Sequence, residues 1–213
     1  MKKYELTSET KLWFGRTLFR IKALASFDDV NAGELGGFVE KEENLEQYGN
    51  AWVYGYAQVS GNARVYGNAQ VYGDAQVYGN AWVYGDAQVS DNARVCGDAE
   101  MYGDAQVYGD AQVYGDAQVS DNARVLSRKH IAWFSSVGSE DGTLTAYTTK
   151  QNGIEITRGC FRGSLEKFEA AVAKRHGESN FGKQYVALVQ YIKLRFLGVT
   201  IEVEVDAAKG LSK

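Results

Sequence analysis

The chain has 213 residues and a net charge of −4, with 45% hydrophobic and 23% charged residues, a composition typical of a globular protein with a core. No run of about 18 apolar residues occurs, so we expect no transmembrane helix, and the start MKKYELTSET lacks the apolar stretch of a signal peptide. Two cysteines are too few for a disulfide framework, which indicates a cytoplasmic protein with free thiols.

Acidic charge is concentrated in the middle of the chain. Residues 47–126 hold three Lys/Arg and nine Asp/Glu, for a net charge of −6. Such a block disfavours a nucleic-acid partner because it would repel the phosphate backbone. Residues 127–213 carry thirteen Lys/Arg and nine Asp/Glu, and this mild basic excess is typical of a solvated surface.

The first 34 residues are predicted to form an N-terminal β-meander cap. The stretches KYELT, KLWF and TLFRIKAL alternate apolar and polar residues and are joined by short turns. A cap is needed at this end because the exposed edge of a β-helix invites fibre growth.

A six-residue unit, V-Y-G-D-A-Q, repeats through residues 47–126. Its first position is valine, with Met101 as the single substitute, and alanine follows four residues later throughout. A period of six does not fit a helix, whereas A-Q-V-Y fits a short strand with Ala and Val inward, followed by a corner. Leu35, Val39 and Leu45 also fall on inward positions, so we predict that the coil spans residues 35–126.

These hexads resemble the hexapeptide-repeat superfamily, whose fold is a left-handed parallel β-helix with three hexads in each triangular coil. The resemblance implies a mainly β protein that is a trimer or dimer. Many members are acyltransferases with a catalytic histidine between subunits, and others are zinc enzymes with three histidine ligands. Here His130 and His176 both lie outside the repeats, so we expect no catalytic residue, metal or cofactor in the coil.

One outer face of such a coil is predicted to carry an aromatic column with a spacing of about 4.8 Å. The column consists of Tyr48, Tyr66, Tyr84 and Tyr102. Trp82 lies beside it, with Arg64 and Glu100 one rung away on either side. Exposed aromatic rows are typical of contact surfaces, so we predict a partner-binding face. The alternative is that tyrosine, the usual residue at this position, only braces neighbouring rungs.

Residues 127–213 are predicted to form a C-terminal α+β domain. The stretches IAWFSS, TLTAYTT and GIEITRG are typical of strands separated by turns. Ser164 is expected to begin a helix that ends at Gly177, and a second amphipathic helix is expected over about residues 181–196. The stretch VTIEVEV would then form a final strand.

Two groups of residues in this domain are candidate sites. Cys160 and His176 could form a thiol–imidazole pair, although the Gly-Cys-Phe context is also typical of a packed cysteine. A second group of cations near a helix start could bind an anion such as a small nucleotide. Its members are Arg158, Arg162 and Lys167.

The whole chain also resembles a narrower family. The run TLFRIKAL…LGGFVEKEENL, the tyrosine-rich hexads and ITRGCFRGSLEKF are similar to uncharacterised YdcK-like proteins of phages and prophages. The resemblance implies a phage or prophage protein in the bacterial host cytoplasm, and some relatives carry a transferase label.

We predict a non-catalytic binding or scaffold protein. It would present the rigid β-helix and the C-terminal domain to a host protein or to itself, in host takeover or counter-defence. Two alternatives remain. The first is an acyltransferase-like enzyme, and the second is a protein that sequesters a small nucleotide signal between subunits.

Overall fold

A parallel β-helix forms the centre of the molecule, and the computed structural model describes residues 2–196. Thirteen strands of two or three residues follow the hexads. They are β4 Trp52–Val53, β5 Gln58–Val59, β6 Arg64–Val65, β7 Gln70–Val71, β8 Gln76–Val77, β9 Trp82–Val83, β10 Gln88–Val89, β11 Arg94–Val95, β12 Glu100–Tyr102, β13 Gln106–Val107, β14 Gln112–Val113, β15 Gln118–Ser120 and β16 Arg124–Val125. The predicted mainly β fold with a β-solenoid is confirmed.

Strands eighteen residues apart pair in parallel, as Val71, Val89 and Val107 do, so three hexads complete one coil. The three faces contain β4-β7-β10-β13-β16, β5-β8-β11-β14 and β6-β9-β12-β15. The strands are short because a corner residue with positive φ follows each strand from β4 to β15. This residue is glycine at most corners and aspartate at Asp91 and Asp121.

Valine and alanine fill the interior of the coil as predicted. Every inward Val and Ala of the hexads is at most 1% exposed, and Met101 occupies a valine position at 0%. Each buried valine contributes roughly 1.5–3 kcal/mol. The coil is therefore stabilised by stacked aliphatic layers and needs no helix to cover them.

The N-terminal cap is a hairpin, not the three-stranded meander that KYELT, KLWF and TLFRIKAL predicted within the first 34 residues. Strands β1 Tyr4–Trp13 and β2 Arg16–Ala23 pair antiparallel, and a register shift between Leu6 and Thr10 lets β1 bend without ending. KYELT and KLWF are therefore one strand. Strand β3 Leu35–Val39 pairs with β2 and then in parallel with β5, so the hairpin extends one face of the coil.

The inward assignment of Leu35 is wrong, whereas those of Val39 and Leu45 are confirmed. Leu35 is 47% exposed, and the other two residues are at most 1% exposed. The pairing of β2 with β3 shifts register between Arg20 and Lys22, which breaks the alternation on which the assignment of Leu35 depended.

The C-terminal region combines a four-stranded sheet with two helices. The elements are β17 Ile131–Val137, β18 Gly142–Thr148, β19 Ile154–Arg158, β20 Phe161–Ser164, α1 Leu165–His176 and α2 Asn180–Phe196. Ser164 and Gly177 cap α1 as predicted. Strand β20 was not predicted because it is short and carries no apolar alternation. The predicted strand VTIEVEV lies outside the described residues.

This sheet closes the last coil. Successive side chains of each strand point to opposite faces of the sheet. Tyr147 therefore packs in the core of the coil, whereas Leu144 packs in a second core against the helices. Side chains of the sheet form hydrogen bonds with backbone groups at the end of the coil. Thr145 Oγ1 accepts from the N–H of Gln118 at 3.1 Å, and Thr157 Oγ1 donates to its carbonyl at 2.9 Å. These bonds remove the free strand edge that would otherwise template aggregation.

Candidate partner-binding face

Three tyrosines form a stack on the face built by β6, β9, β12 and β15. The ring centroids of Tyr66 and Tyr84 are 4.8 Å apart with planes 3° from parallel, and those of Tyr84 and Tyr102 are 5.3 Å apart at 14°. The spacing follows the rungs of the sheet, because each ring extends from the same position of successive coils. Burial, with a smaller effect of the Glu100 charge, raises the pKa of Tyr84 to about 12.

Tyr48, the predicted fourth member of the column, lies outside the stack. The first coil is two residues longer than the others: Leu45 pairs with Val65, twenty residues on, whereas Trp52 pairs with Gln70, eighteen residues on. The extra residues enlarge one corner, and Tyr48 protrudes from it with 77% of its surface exposed.

Glu46 takes the rung next to Tyr66 instead. Its backbone N–H donates to the carbonyl of Val65 at 3.0 Å, as the N–H of Tyr66 does to Val83 at 3.1 Å. A carboxylate therefore ends the tyrosine stack on the N-terminal side. The sequence-based prediction missed this residue, although the eight-residue spacing between Leu45 and Val53 indicates the longer coil.

A second column runs beside the tyrosines. Arg64, Trp82 and Glu100 pair in register on successive rungs. Trp82 is 43% exposed, and its ring meets that of Tyr66 edge-on at 6.2 Å. Within residues 2–196, neither Arg64 nor Glu100 has an ion-pair partner. We call the side chains of the two columns the aromatic face: Arg64, Tyr66, Trp82, Tyr84, Glu100 and Tyr102.

Tyrosines on the other two faces are engaged by the protein itself. The Tyr54 hydroxyl donates to Asp29 Oδ1 at 2.7 Å. The ring of Trp13 in the hairpin packs edge-on against that of Tyr78, with 5.4 Å between the ring centroids. Trp133 of β17 packs edge-on against Tyr114 on the same face. In the described part of the chain, the tyrosine hydroxyls of the aromatic face have no such side-chain partner. Among the described residues, the aromatic face is thus the one whose tyrosine hydroxyls and rings contact no other face and no cap strand.

A groove adjoins the N-terminal end of the aromatic face. Its volume is about 540 Å³, and Tyr48, Tyr66 and Trp82 line it together with Arg64. Carboxylates surround its rim; they are Glu42, Glu43 and Glu46. Tyr48 therefore lies next to the predicted face, in the wall of this groove, although it is not part of the stack.

The structure places Cys160 and His176 around one cavity of about 230 Å³ between the sheet and α1, with Arg158 also in its wall. Among the described residues no hydrogen bond joins the thiol to the imidazole. The His176 ring instead lies 5.5 Å from the ring of Tyr185. The predicted pair therefore shares a cavity without forming the contact that a thiolate–imidazolium pair requires.

The predicted anion-binding cations do not converge. Arg158 Nη2 donates to the carbonyl of Val137 at 2.7 Å on the helix side of the sheet. Arg162 points to the coil, where it forms ion pairs with Asp121 and Glu155. Lys167 is exposed on α1. Since Arg162 is already neutralised and the other two cations lie elsewhere, the three residues make no common site.

Neither a metal cluster nor a membrane span is found in the described residues. No group of three or more His, Cys, Asp or Glu within residues 2–196 is arranged to hold a metal ion. The helices described for this part of the chain are too short or too polar to cross a bilayer.

Comparison with known proteins relates the hexads to a described repeat family. The family model described as YdcK beta solenoid repeat matches residues 57–73, 75–87 and 87–103. No curated protein matches the chain. The matched stretches contain Tyr66, Trp82, Tyr84 and Tyr102, so the aromatic face is built on hexads similar to this solenoid repeat.

Proposed function

We propose that this protein is a non-catalytic binding protein whose aromatic face contacts a protein partner, either a host protein or a further copy of itself. One observation carries the proposal. The stack of Tyr66, Tyr84 and Tyr102, with the half-exposed Trp82 beside it, is left uncovered, while the chain engages tyrosines on both other faces. Tyrosine, tryptophan and arginine are the residues that are most enriched in protein interfaces.

The β-helix suits this role because it holds the face rigid. Each aromatic side chain extends from a strand that is hydrogen-bonded on both sides within the stack, and the inward neighbours of these side chains are fully buried. A partner would therefore bind a preformed surface and would not have to order it, which lowers the entropic cost of association.

The resemblance to phage and prophage proteins supports a wider setting. The protein would act in the cytoplasm of a bacterial host, in host takeover or counter-defence. The hexads and their eighteen-residue coil support assignment to the hexapeptide-repeat superfamily, with a coil of the left-handed kind. The C-terminal α+β region would be displayed at the end of the same rigid body.

The cavity at Cys160 supports a second candidate function, an enzyme or a nucleotide-sequestering protein. The supporting observation is that Cys160, His176 and Arg158 line the same space. However, its volume of about 230 Å³ is below the roughly 300–1,000 Å³ of small-molecule sites. A thermal-shift panel of acyl-CoAs and cyclic nucleotides tests this candidate. A shift that is lost in Cys160→Ala supports the enzyme, and a nucleotide shift that is lost in Arg158→Gln supports sequestration.

The aromatic face is tested with a triple variant that uses residues the coil already carries. Serine replaces tyrosine naturally at Ser60, Ser90 and Ser120, and glutamine is common at the position of Trp82. The variant Tyr66→Ser, Trp82→Gln, Tyr84→Ser should therefore fold, which circular dichroism and thermal unfolding would verify. We expect it to lose the partners that the wild-type protein retains from a bacterial lysate and to lose self-association.

The matched control is the double variant Tyr72→Ser, Tyr108→Ser on a different face. It removes the same ring type from the same hexad position and should keep its partners. Equal loss in both variants would show that the tyrosines only brace the coil. Retention of all partners by the triple variant would direct the search to residues 127–213.

A further inference from the structure

The order of side chains in the second column of the aromatic face is self-complementary. Arg64 lies one rung before Trp82, and Glu100 lies one rung after it. A cation and an anion therefore flank the tryptophan at equal distances along the coil axis. A two-fold symmetric dimer is favoured by such an arrangement, because a residue away from the axis faces the residue on the other side of the axis, and only residues on the axis face their own copies.

We propose that the partner of the aromatic face is a second copy of this chain, packed face to face with the two coils antiparallel. The inference rests on the proposed function, since it uses the same surface. The two-fold axis would run along the strand direction and pass between the two Trp82 side chains. This places Arg64 of each copy opposite Glu100 of the other, in two equivalent pairs.

Charge selects the antiparallel arrangement over the parallel one. With parallel coils, Arg64 would face Arg64 and Glu100 would face Glu100, and like charges placed opposite each other across an interface cost several kcal/mol. In the antiparallel dimer both charges that lack an ion-pair partner within residues 2–196 gain one.

The same axis also matches the tyrosine stack with itself. Tyr84 lies on the rung of Trp82, so it would face Tyr84 of the second copy, and Tyr66 would face Tyr102. Four aromatic rings from each copy would then form the centre of the contact, with the Arg64 and Glu100 pairs beside them. An aromatic centre with charged groups toward the rim is the usual arrangement of a protein interface.

Charge reversal at these two positions tests the proposal. Arg64→Glu and Glu100→Arg should each weaken self-association at least about tenfold, because each creates two like-charge contacts per dimer. The double variant exchanges the two charges and should restore association to near the wild-type level. Glutamate and arginine both occur naturally at this hexad position, as Glu100 and Arg94 show, so the variants should fold.

Arg94→Glu is the matched control, since Arg94 has the same Ala-Arg-Val context on another face and is also exposed. It should dimerise like the wild-type protein in sedimentation velocity experiments at up to about 100 μM. A monomeric wild-type protein at that concentration overturns the inference, as does a double variant that stays as weak as the single variants. Neither result decides the proposed function. A host protein that the wild-type protein retains and the triple variant loses would still support binding through the aromatic face.

Discussion

The stacked corners of the β-helix make a sharp prediction about two glycines. In both Gly79 and Gly55 the backbone is left-handed, with φ of +76° and +57°. A Cβ on Gly79 would lie 2.9 Å from the backbone nitrogen of Gly97 in the next coil, whereas a Cβ on Gly55 would meet nothing closer than 3.9 Å. Alanine at either position pays the left-handed penalty, but only at Gly79 must two coils also separate.

The expected magnitudes follow from these contacts. The left-handed conformation costs an alanine roughly 1–2 kcal/mol, so Gly55→Ala should lower the free energy of unfolding by about that amount. Gly79→Ala should lose more. Displacing the corner of Gly97 also strains the hydrogen bond from the Asn80 N–H to the Gly97 carbonyl, now 2.8 Å, a bond worth about 0.5–1.5 kcal/mol.

Urea unfolding of both variants, followed by circular dichroism, measures the difference. We expect Gly79→Ala to be the less stable of the two by about 0.5–1.5 kcal/mol, the contribution of the disturbed bond. Equal losses at the two sites would mean that the corners are not held against each other. The regular ring spacing of the aromatic face would then lack its structural basis.

Two further predictions concern tyrosine chemistry. Burial raises the pKa of Tyr84 to about 12 while the unfolded chain releases this proton near pH 10, so stability should fall as the pH rises between these values, and urea midpoints that stay constant to about pH 11 would contradict this. Tyr147→Phe removes the hydroxyl that lies 3.1 Å from the buried Ser120 Oγ and should cost about 1–3 kcal/mol, whereas Tyr114→Phe, at an exposed ring, should cost little in the same unfolding assay.

The coil could be predicted from the sequence because its information is local. Each hexad specifies an inward Val, an inward Ala and a corner, and eighteen residues return the chain to the same face, so the stack of Tyr66, Tyr84 and Tyr102 followed directly. Tyr48 was assigned wrongly because the same arithmetic was extended across a corner with two extra residues. An assumption of constant coil length fails wherever a loop enlarges one coil.

Contacts between distant elements could not be predicted in this way. The stripes of α1 and α2 were visible in the sequence, but not which face of the sheet they cover. That Cys160 and His176 line the same cavity depends on that packing. The proposed anion site failed for a related reason, since Arg162 pairs with Asp121, a coil residue whose proximity only the folded structure reveals.

The self-association affinity of the Trp82→Gln variant tests the role of the aromatic face most directly. Analytical ultracentrifugation would give the dissociation constant of the self-complex for this variant, for the wild-type protein and for Arg94→Gln, which places glutamine at the same hexad position on another face. A central aromatic residue that contributes about 2 kcal/mol predicts roughly thirtyfold weaker association for Trp82→Gln and no change for Arg94→Gln. Equal dissociation constants for all three proteins would contradict the account.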